Sequence, residues 1–429
     1  MKPLFVISCP IDTYSGYGAR SRDLVKAIIE TNQYDVRILS QRWGNTPWGF
    51  LDENPDWNFL KKHVLQSNQL PKQPEVWMQI TVPNEFQAVG KYNIGVTAGI
   101  ETTIAHHSWV EGINRMNLVL TSSTFSKKTL MESKYDAKDA QGRTTGTLEV
   151  TTPIEVLFEG ANTDIYKPVN TPSSVNFDIK EDFAYLFVGH WMQGDFGEDR
   201  KNVGLLVKAF LETFKNKKKK PALVLKVSSV GCSYMDRDMQ IKRLQDIRDT
   251  CNTKDLPNIY LLHGEFSDSE MNEIYNHSKI KAMVSLTKGE GYGRPLLEFS
   301  LTKKPVIASD WSGHTDFLSK EFSCLIKGEL KNVHPSAVVE NMILAESQWF
   351  SPDHGAVGFF LKDVFENYSK YQNNANRQAY RSKTEFSYSK MASDLKNLLD
   401  QSFPEFPKEV KLELPKLKKI ELPKKVTNG

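Results

Sequence analysis

The sequence holds little of what marks a disulfide frame, a membrane span or a strongly charged partner. Only four of its 429 residues are cysteine: Cys9, Cys232, Cys251 and Cys324. None forms a C-x-x-C pair, which argues against a disulfide frame or a zinc site and fits reduced thiols in a cytoplasmic protein. No apolar stretch approaches the roughly 20 residues that a membrane span needs. The run Leu4-Phe5-Val6-Ile7 soon reaches Asp12, so a buried first strand is expected there rather than a signal peptide. Charge of one sign is also missing. The net charge is only +3, so no strong electrostatic footprint announces a nucleic-acid partner, although a local patch remains compatible with one. No Asp-x-Asp lies in a loop suited to a metal. The adjacent His106 and His107 cannot face one ion as helix-spaced ligands do, so no metal site is expected.

What is present is the pattern of a two-domain α/β chain. Hydrophobic residues make up 39% and charged residues 25%, and the length exceeds what one ordinary core accommodates. Short apolar runs alternate with amphipathic stretches, the pattern of parallel sheets covered by helices. Strands are expected at 4–8, 36–40, 76–80, 93–97, 118–121 and 154–158. After a polar, Pro-containing stretch they resume at 184–188, 223–227, 259–262, 281–285, 306–309 and 323–326. One helix is expected from about Ala19 with Leu24, Ala27 and Ile28 inward, and another after the N-cap pair Ser123-Thr124. The fold class is therefore two Rossmann-like doubly wound domains facing a cleft, with ligands beyond the C-terminal strand ends. The expected divisions are 1–165, a linker at 166–182, a second domain at 183–386, a helix at 387–402 that packs back on the first domain, and a Pro/Lys-rich tail at 403–429. Two related pieces of that tail, 412–416 and 420–424, contain prolines that forbid a continuous helix. The basic run 217–220 reads as a solvated helix end.

The strongest local signal is Lys288-Gly289-Glu290-Gly291-Tyr292-Gly293-Arg294-Pro295-Leu296-Leu297-Glu298. It follows an apolar strand and opens a helix. Its glycines let the backbone turn tightly and approach a ligand, and Pro295 suits a helix start. Amides at such a start favour an anion such as a diphosphate. Glu290 in the loop and Glu298 in the first helical turns can grip hydroxyls at two ends of one ligand. Pro305-Val306-Ile307-Ala308 and the polar loop Asp310-Trp311-Ser312-Gly313-His314 follow. A glycine-rich turn alone would be an ordinary feature. The combination resembles the donor-site signature of retaining glycosyltransferases of GT-B fold (glycosyltransferase family 4-like), in which seven residues separate two glutamates.

That resemblance implies a set of roles. Glu290 would hold donor-sugar hydroxyls and Glu298 the ribose of a UDP- or GDP-linked sugar, with Gly291, Tyr292 and Gly293 facing sugar and diphosphate. Lys201 matches the family lysine that neutralises the diphosphate. Relatives have an arginine directly after Gly189, where this chain has His190; Arg200 is the candidate substitute. Gly16 and Gly18, in the turn after the first strand, match a glycine-rich turn near the donor phosphate. Glu101 is the first choice and His107 the second for a group near the transferred sugar. No cofactor beyond the nucleotide-sugar co-substrate is implied, and no metal. The acceptor is expected to be a saccharide or glycoconjugate, with a hydroxymethylated base in DNA as the alternative. Two other readings of the fold are weighed. One is a sugar-nucleotide epimerase or phosphorylase, and the latter needs a longer chain and a pyridoxal lysine. The other is a sugar-nucleotide-binding protein weakened in catalysis, favoured only by His190.

Overall fold

The computed structural model describes residues 2–67, 69–70, 72–169, 175, 177–229 and 231–406. Part of the expected linker (170–174 and 176) and both repeated pieces of the tail lie outside the described residues.

The first sheet is built from β1 (Leu4–Cys9), β2 (Asp35–Ser40), β3 (Val76–Ile80), β4 (Tyr92–Thr97), β5 (Leu118–Thr121) and a later short strand, β8 (Ile154–Val156). Between β5 and β8 a hairpin, β6 (Tyr135–Lys138) and β7 (Thr144–Leu148), stands apart from the sheet. The second sheet comprises β9 (Ala184–His190), β10 (Ala222–Ser228), β11 (Ile259–Leu262), β12 (Ile280–Ser285), β13 (Val306–Ser309) and β14 (Cys324–Ile326). A second hairpin, β15 (Gly328–Asn332) with β16 (Gln348–Pro352), follows it. Each sheet has six parallel strands, ordered β2-β1-β3-β4-β5-β8 and β11-β10-β9-β12-β13-β14. Strand order reverses beside β1 in the first and beside β9 in the second. A crevice opens at such a reversal, beyond the C-terminal strand ends.

The helices are α1 (Gly16–Glu30), α2 (Phe50–Glu53), α3 (His107–Ile113), α4 (Thr124–Glu132), α5 (Val203–Phe214), α6 (Tyr234–Asp249), α7 (Asp268–Asn276), α8 (Arg294–Ser300), α9 (His354–Glu366), α10 (Tyr368–Glu385) and α11 (Tyr388–Ser402). Caps set several starts. The Ser15 hydroxyl accepts from the Gly18 amide, so α1 begins three residues before Ala19, and the Ser123 hydroxyl accepts from the Ser126 amide at α4. Strand β1 is buried throughout because both faces of the sheet are covered: Leu24 and Ile28 of α1 lie on one face, Trp109 and Val110 of α3 on the other.

Helix α11 buries Met391, Leu395 and Leu399 in the core of the first lobe beside α1. The chain therefore passes between the lobes twice. The two passages run side by side: the Ala161 amide donates to the Phe386 carbonyl at 2.9 Å and the Tyr388 amide to the Ala161 carbonyl at 2.7 Å. The basic run after α5 lies at the surface, with Lys220 paired to Asp255 at 2.6 Å. No helix among the described residues is long and apolar enough to cross a membrane.

Candidate functional site

The site forms where the loops after β9 and β12 meet, at the strand-order reversal of the second sheet. The loop after β9 is pinned at its far end. Asn202 adopts a left-handed backbone (φ 57°) and caps nothing, while the buried Asp199 carboxylate accepts from the Val203 amide at 3.1 Å. Arg200 and Lys201 are thereby held just ahead of α5. The Lys288 amide donates to the Arg200 carbonyl at 2.8 Å, which joins this loop to the glycine-rich one.

In the glycine-rich loop, Glu290 is buried and held from both sides. Its amide donates to the Ser312 hydroxyl at 2.9 Å, and its carbonyl accepts from Gly313 at 2.9 Å. Its carboxylate meets Lys201 Nζ at 2.5 Å and Arg200 Nη1 at 3.5 Å. Arg200 Nη1 also reaches the Gly289 carbonyl at 2.8 Å and the Glu101 carboxylate at 3.4 Å. Burial alone would push the Glu290 carboxyl up, but Lys201 and Arg200 outweigh it and hold the group at about 2. Burial drives Lys201 below its usual range, opposed by Glu290. Arg200 stays above its own, because Glu101 and Glu290 more than offset its burial.

Glu298 is in a different environment, although its sequence spacing from Glu290 suggests a matched pair. Gly293 adopts φ 96°, which a side chain would resist, and this bend throws α8 away from the loop. Glu298 then lies in the second lobe's interior, 2.7 Å from Arg294 Nε and 3.4 Å from the Tyr275 hydroxyl. Burial dominates here, Arg294 opposes it and Asp268 adds to it, so the carboxyl is pushed up to about 7. A raised folded-state value means that the folded protein holds this proton more tightly than the unfolded chain. Stability from this source is complete below about 4.5 and is lost as pH rises through about 7. The shift corresponds to on the order of 3 kcal/mol at full expression. Melting temperatures of wild type and Glu298→Gln are thus expected to diverge across that window, wild type losing stability relative to the variant. Parallel curves from pH 4.5 to 8 would contradict the assignment.

The first lobe closes over this arrangement. A Cβ built on Gly289 would stand 1.9 Å from the Glu101 carbonyl, and one on Gly291 would stand 2.2 Å from the Ala98 carbonyl. These two glycines therefore let the lobes touch. The Ser123 hydroxyl donates to the Gly291 carbonyl at 2.6 Å, and the Thr124 amide to Asp316 at 2.7 Å. The Gln348 amide of β16 donates to the Thr103 hydroxyl at 2.9 Å, so the second hairpin also reaches the first lobe. A narrow cavity beside the cluster is lined by Val188, Lys201, Met283, Ser285, Glu290 and the start of α8.

Most residues singled out in the sequence converge here. Lys201, Arg200, Glu290 and Glu101 form one charged cluster, and Gly291 lies against it. Gly189 adjoins the Lys201 side chain, 3.7 Å from an added Cβ. The exposed His190 ends β9 with its ring 3.3 Å from the Ser228 hydroxyl. The Tyr292 side chain points inward against Phe317 with its hydroxyl unpaired, so of this residue only the backbone is left for a ligand. Gly16 faces open space, whereas a Cβ on Gly18, in the first turn of α1, would stand 2.4 Å from the Thr13 carbonyl.

His107 is a correction. It opens α3, half-exposed, 3.2 Å from Glu111, with its ring against His106 and Tyr135. None of these is a residue of the charged cluster. Asp23 was missed in the sequence, while Ser123, Arg294, Ser312 and His314 stood in its motifs without a role at the site. His314 is buried, its Nε2 2.6 Å from the Ser309 carbonyl and its Nδ1 without a partner among the described residues. Among the described residues no group of three or more His, Cys, Asp or Glu could hold a metal ion.

No protein-family model matches the chain, and no curated protein matches it. Solved structures do. A glycosyltransferase from Rickettsia africae aligns with TM-score 0.59 at 14% identity, over 94% of this chain and 98% of that one. Sucrose-phosphate synthase from Thermosynechococcus elongatus aligns with TM-score 0.60 at 12% identity, over 94% and 99%. HepE of Anabaena, solved with UDP and glucose, aligns with TM-score 0.56 at 12% identity, over 93% and 100%. The chain has the two-lobed GT-B fold of these proteins. At such identities the likeness speaks for the architecture, and the chemistry has to be argued from the site.

Proposed function

We propose that this protein is a retaining glycosyltransferase that moves a sugar from a UDP- or GDP-linked donor to a hydroxyl of a saccharide or glycoconjugate. The observation that carries the reading is the buried Lys201–Glu290–Arg200 cluster at the strand-order reversal, with Glu101 of the opposite lobe completing it. Glycosyl transfer develops positive charge at the anomeric carbon while the leaving diphosphate grows negative. A site for it needs fixed cations near the phosphates and fixed acceptors near the sugar hydroxyls, both shielded from water. Lys201 has three donors and spends one on Glu290, leaving two for phosphate oxygens. Arg200 adds a second cation, where relatives place an arginine after the glycine at 189. The Glu290 carboxylate, held ionised, accepts from sugar hydroxyls. Glu298 would accept from the ribose once Arg294 shares it. The two cations supply the neutralisation that a divalent ion supplies in other transferases. Retention follows from the family resemblance, with the leaving phosphate taking the acceptor proton.

Incubation with a panel of nucleotide sugars, with and without a chelator, tests this. Slow release of free nucleotide from one donor class, unaffected by the chelator and with α- or β-configuration kept in the first-formed product, is expected. Absence of nucleotide release from every UDP- and GDP-sugar would overturn the reading.

A further inference from the structure

Arg294 stands between two carboxylates that belong to different lobes. Its Nη1 lies 2.6 Å from Asp23 of α1, and its Nε lies 2.7 Å from Glu298, one turn further along α8. All three side chains are well buried: Asp23 and Glu298 are 8% exposed and Arg294 is 16% exposed. We propose that Arg294 is a positioning residue that couples closure of the lobes to ligand capture at Glu298, because the closed cleft tolerates both carboxylates only while this guanidinium is shared between them. The identity of the ligand at Glu298 rests on the reading above; the coupling between lobes does not.

Other residues near this guanidinium make the sharing necessary. Asp268 and Glu159 add negative charge around Arg294. The buried Arg20 and Arg22 lie nearby but are committed elsewhere. Arg20 donates to the carbonyls of Phe158 and Leu157, and Arg22 to those of Ile11 and Thr13 while resting 3.4 Å from the Phe50 ring. A charge buried without a partner is strongly disfavoured, so removing the cation leaves Asp23 to seek water, whereas Glu298, already pushed up to about 7 beside the cation, takes up a proton. Asp23 reaches water when the lobes part, since it is on the first lobe and Glu298 on the second. The planar fork matters as well: one guanidinium donates along two fixed directions, whereas an ammonium is a single point charge. The coupling is reciprocal, as any linkage is. When a ligand's hydroxyls occupy Glu298, Arg294 is freer to hold Asp23, and the lobes stay shut. When Asp23 fixes Arg294 in the closed cleft, the guanidinium stays beside Glu298 and favours its ionised form, which accepts hydroxyl hydrogen bonds.

Small-angle X-ray scattering and titration with UDP and with GDP test this on the full chain. Arg294→Met is expected to enlarge the radius of gyration and to weaken nucleotide binding roughly tenfold, a typical coupling between sites. Asp23→Asn/Arg294→Met is expected to regain the compact radius, because the stranded Asp23 charge is gone. Should Arg294→Met fail to fold by circular dichroism, Arg294→Lys is expected to shift both readouts in the same direction. The proposal is overturned if the single variant scatters and binds as wild type does, or if the double variant is as open as the single. If no form binds either nucleotide, the donor-site reading falls and scattering alone decides the coupling.

Discussion

Lys201→Ala is expected to lower sugar transfer by roughly 10³-fold, the loss that follows removal of one preorganised donor to a developing charge. Two effects combine. The diphosphate loses a cation that is buried and already in place, and Glu290 loses its shortest partner, at 2.5 Å. Arg200 remains, but it is 3.5 Å from Glu290 and also serves Glu101 and the Gly289 carbonyl. The fold should survive, since Lys201 lies in a loop whose position is fixed by Asp199 and by the Arg200 carbonyl, not by its own side chain. The measurement is the steady-state rate with the donor found in the nucleotide-sugar panel. Most of the loss should appear in kcat, because the charge on the phosphates grows as the bond breaks. A tenfold loss or less, confined to KM, would mean that Lys201 only helps to bind.

Gly289→Val is expected to remove transfer almost entirely while weakening nucleotide binding only about tenfold, the cost of lost closure. The space a side chain needs at this position is occupied by the Glu101 carbonyl of the other lobe, 1.9 Å from the first added carbon. Backbone cannot yield as a flexible side-chain end can, so the lobes must separate, and Glu101 then leaves Arg200. The groups proposed to hold the nucleotide, Glu298 and Lys201, are both on the second lobe and keep their places. Chemistry would suffer because water enters and the two substrates no longer meet in geometry. Calorimetric titration alongside a transfer assay reads the two effects separately. Equal loss of both would show that the valine damages the second lobe itself.

These two residues differ in how the sequence presented them. The sheet strands were legible because parallel strands covered on both faces read as continuous apolar runs, as in Leu4–Cys9 and Ala222–Ser228. One strand of each hairpin was not, because it carries no such apolar run: Thr144–Leu148 and Gly328–Asn332 are almost wholly exposed. Lys201 and Glu290 were legible because the motif and the helix start lie in one stretch of chain each. His107 was misplaced because closeness in sequence to Glu101 is not closeness in space. Between them the chain begins α3, where His107 pairs with Glu111 of its own helix at 3.2 Å. The pairing of Asp23 with Arg294 had no sequence signal, because the two are 271 residues apart and joined only when the lobes meet. The differing surroundings of Glu290 and Glu298 were equally hidden. Spacing shows that two carboxylates flank a bend, and only packing decides that one faces Lys201 and the other Arg294.

In the proposed donor site Lys201, Arg200 and Glu290 receive phosphate and sugar while Glu298 receives the ribose. Isothermal titration of UDP and GDP into wild type, Lys201→Ala and Glu298→Ala, in chelator, probes it most directly. One nucleotide should bind wild type at a single site per chain, more weakly after either substitution. Binding unchanged by both substitutions, or no binding of either nucleotide to wild type, would contradict it.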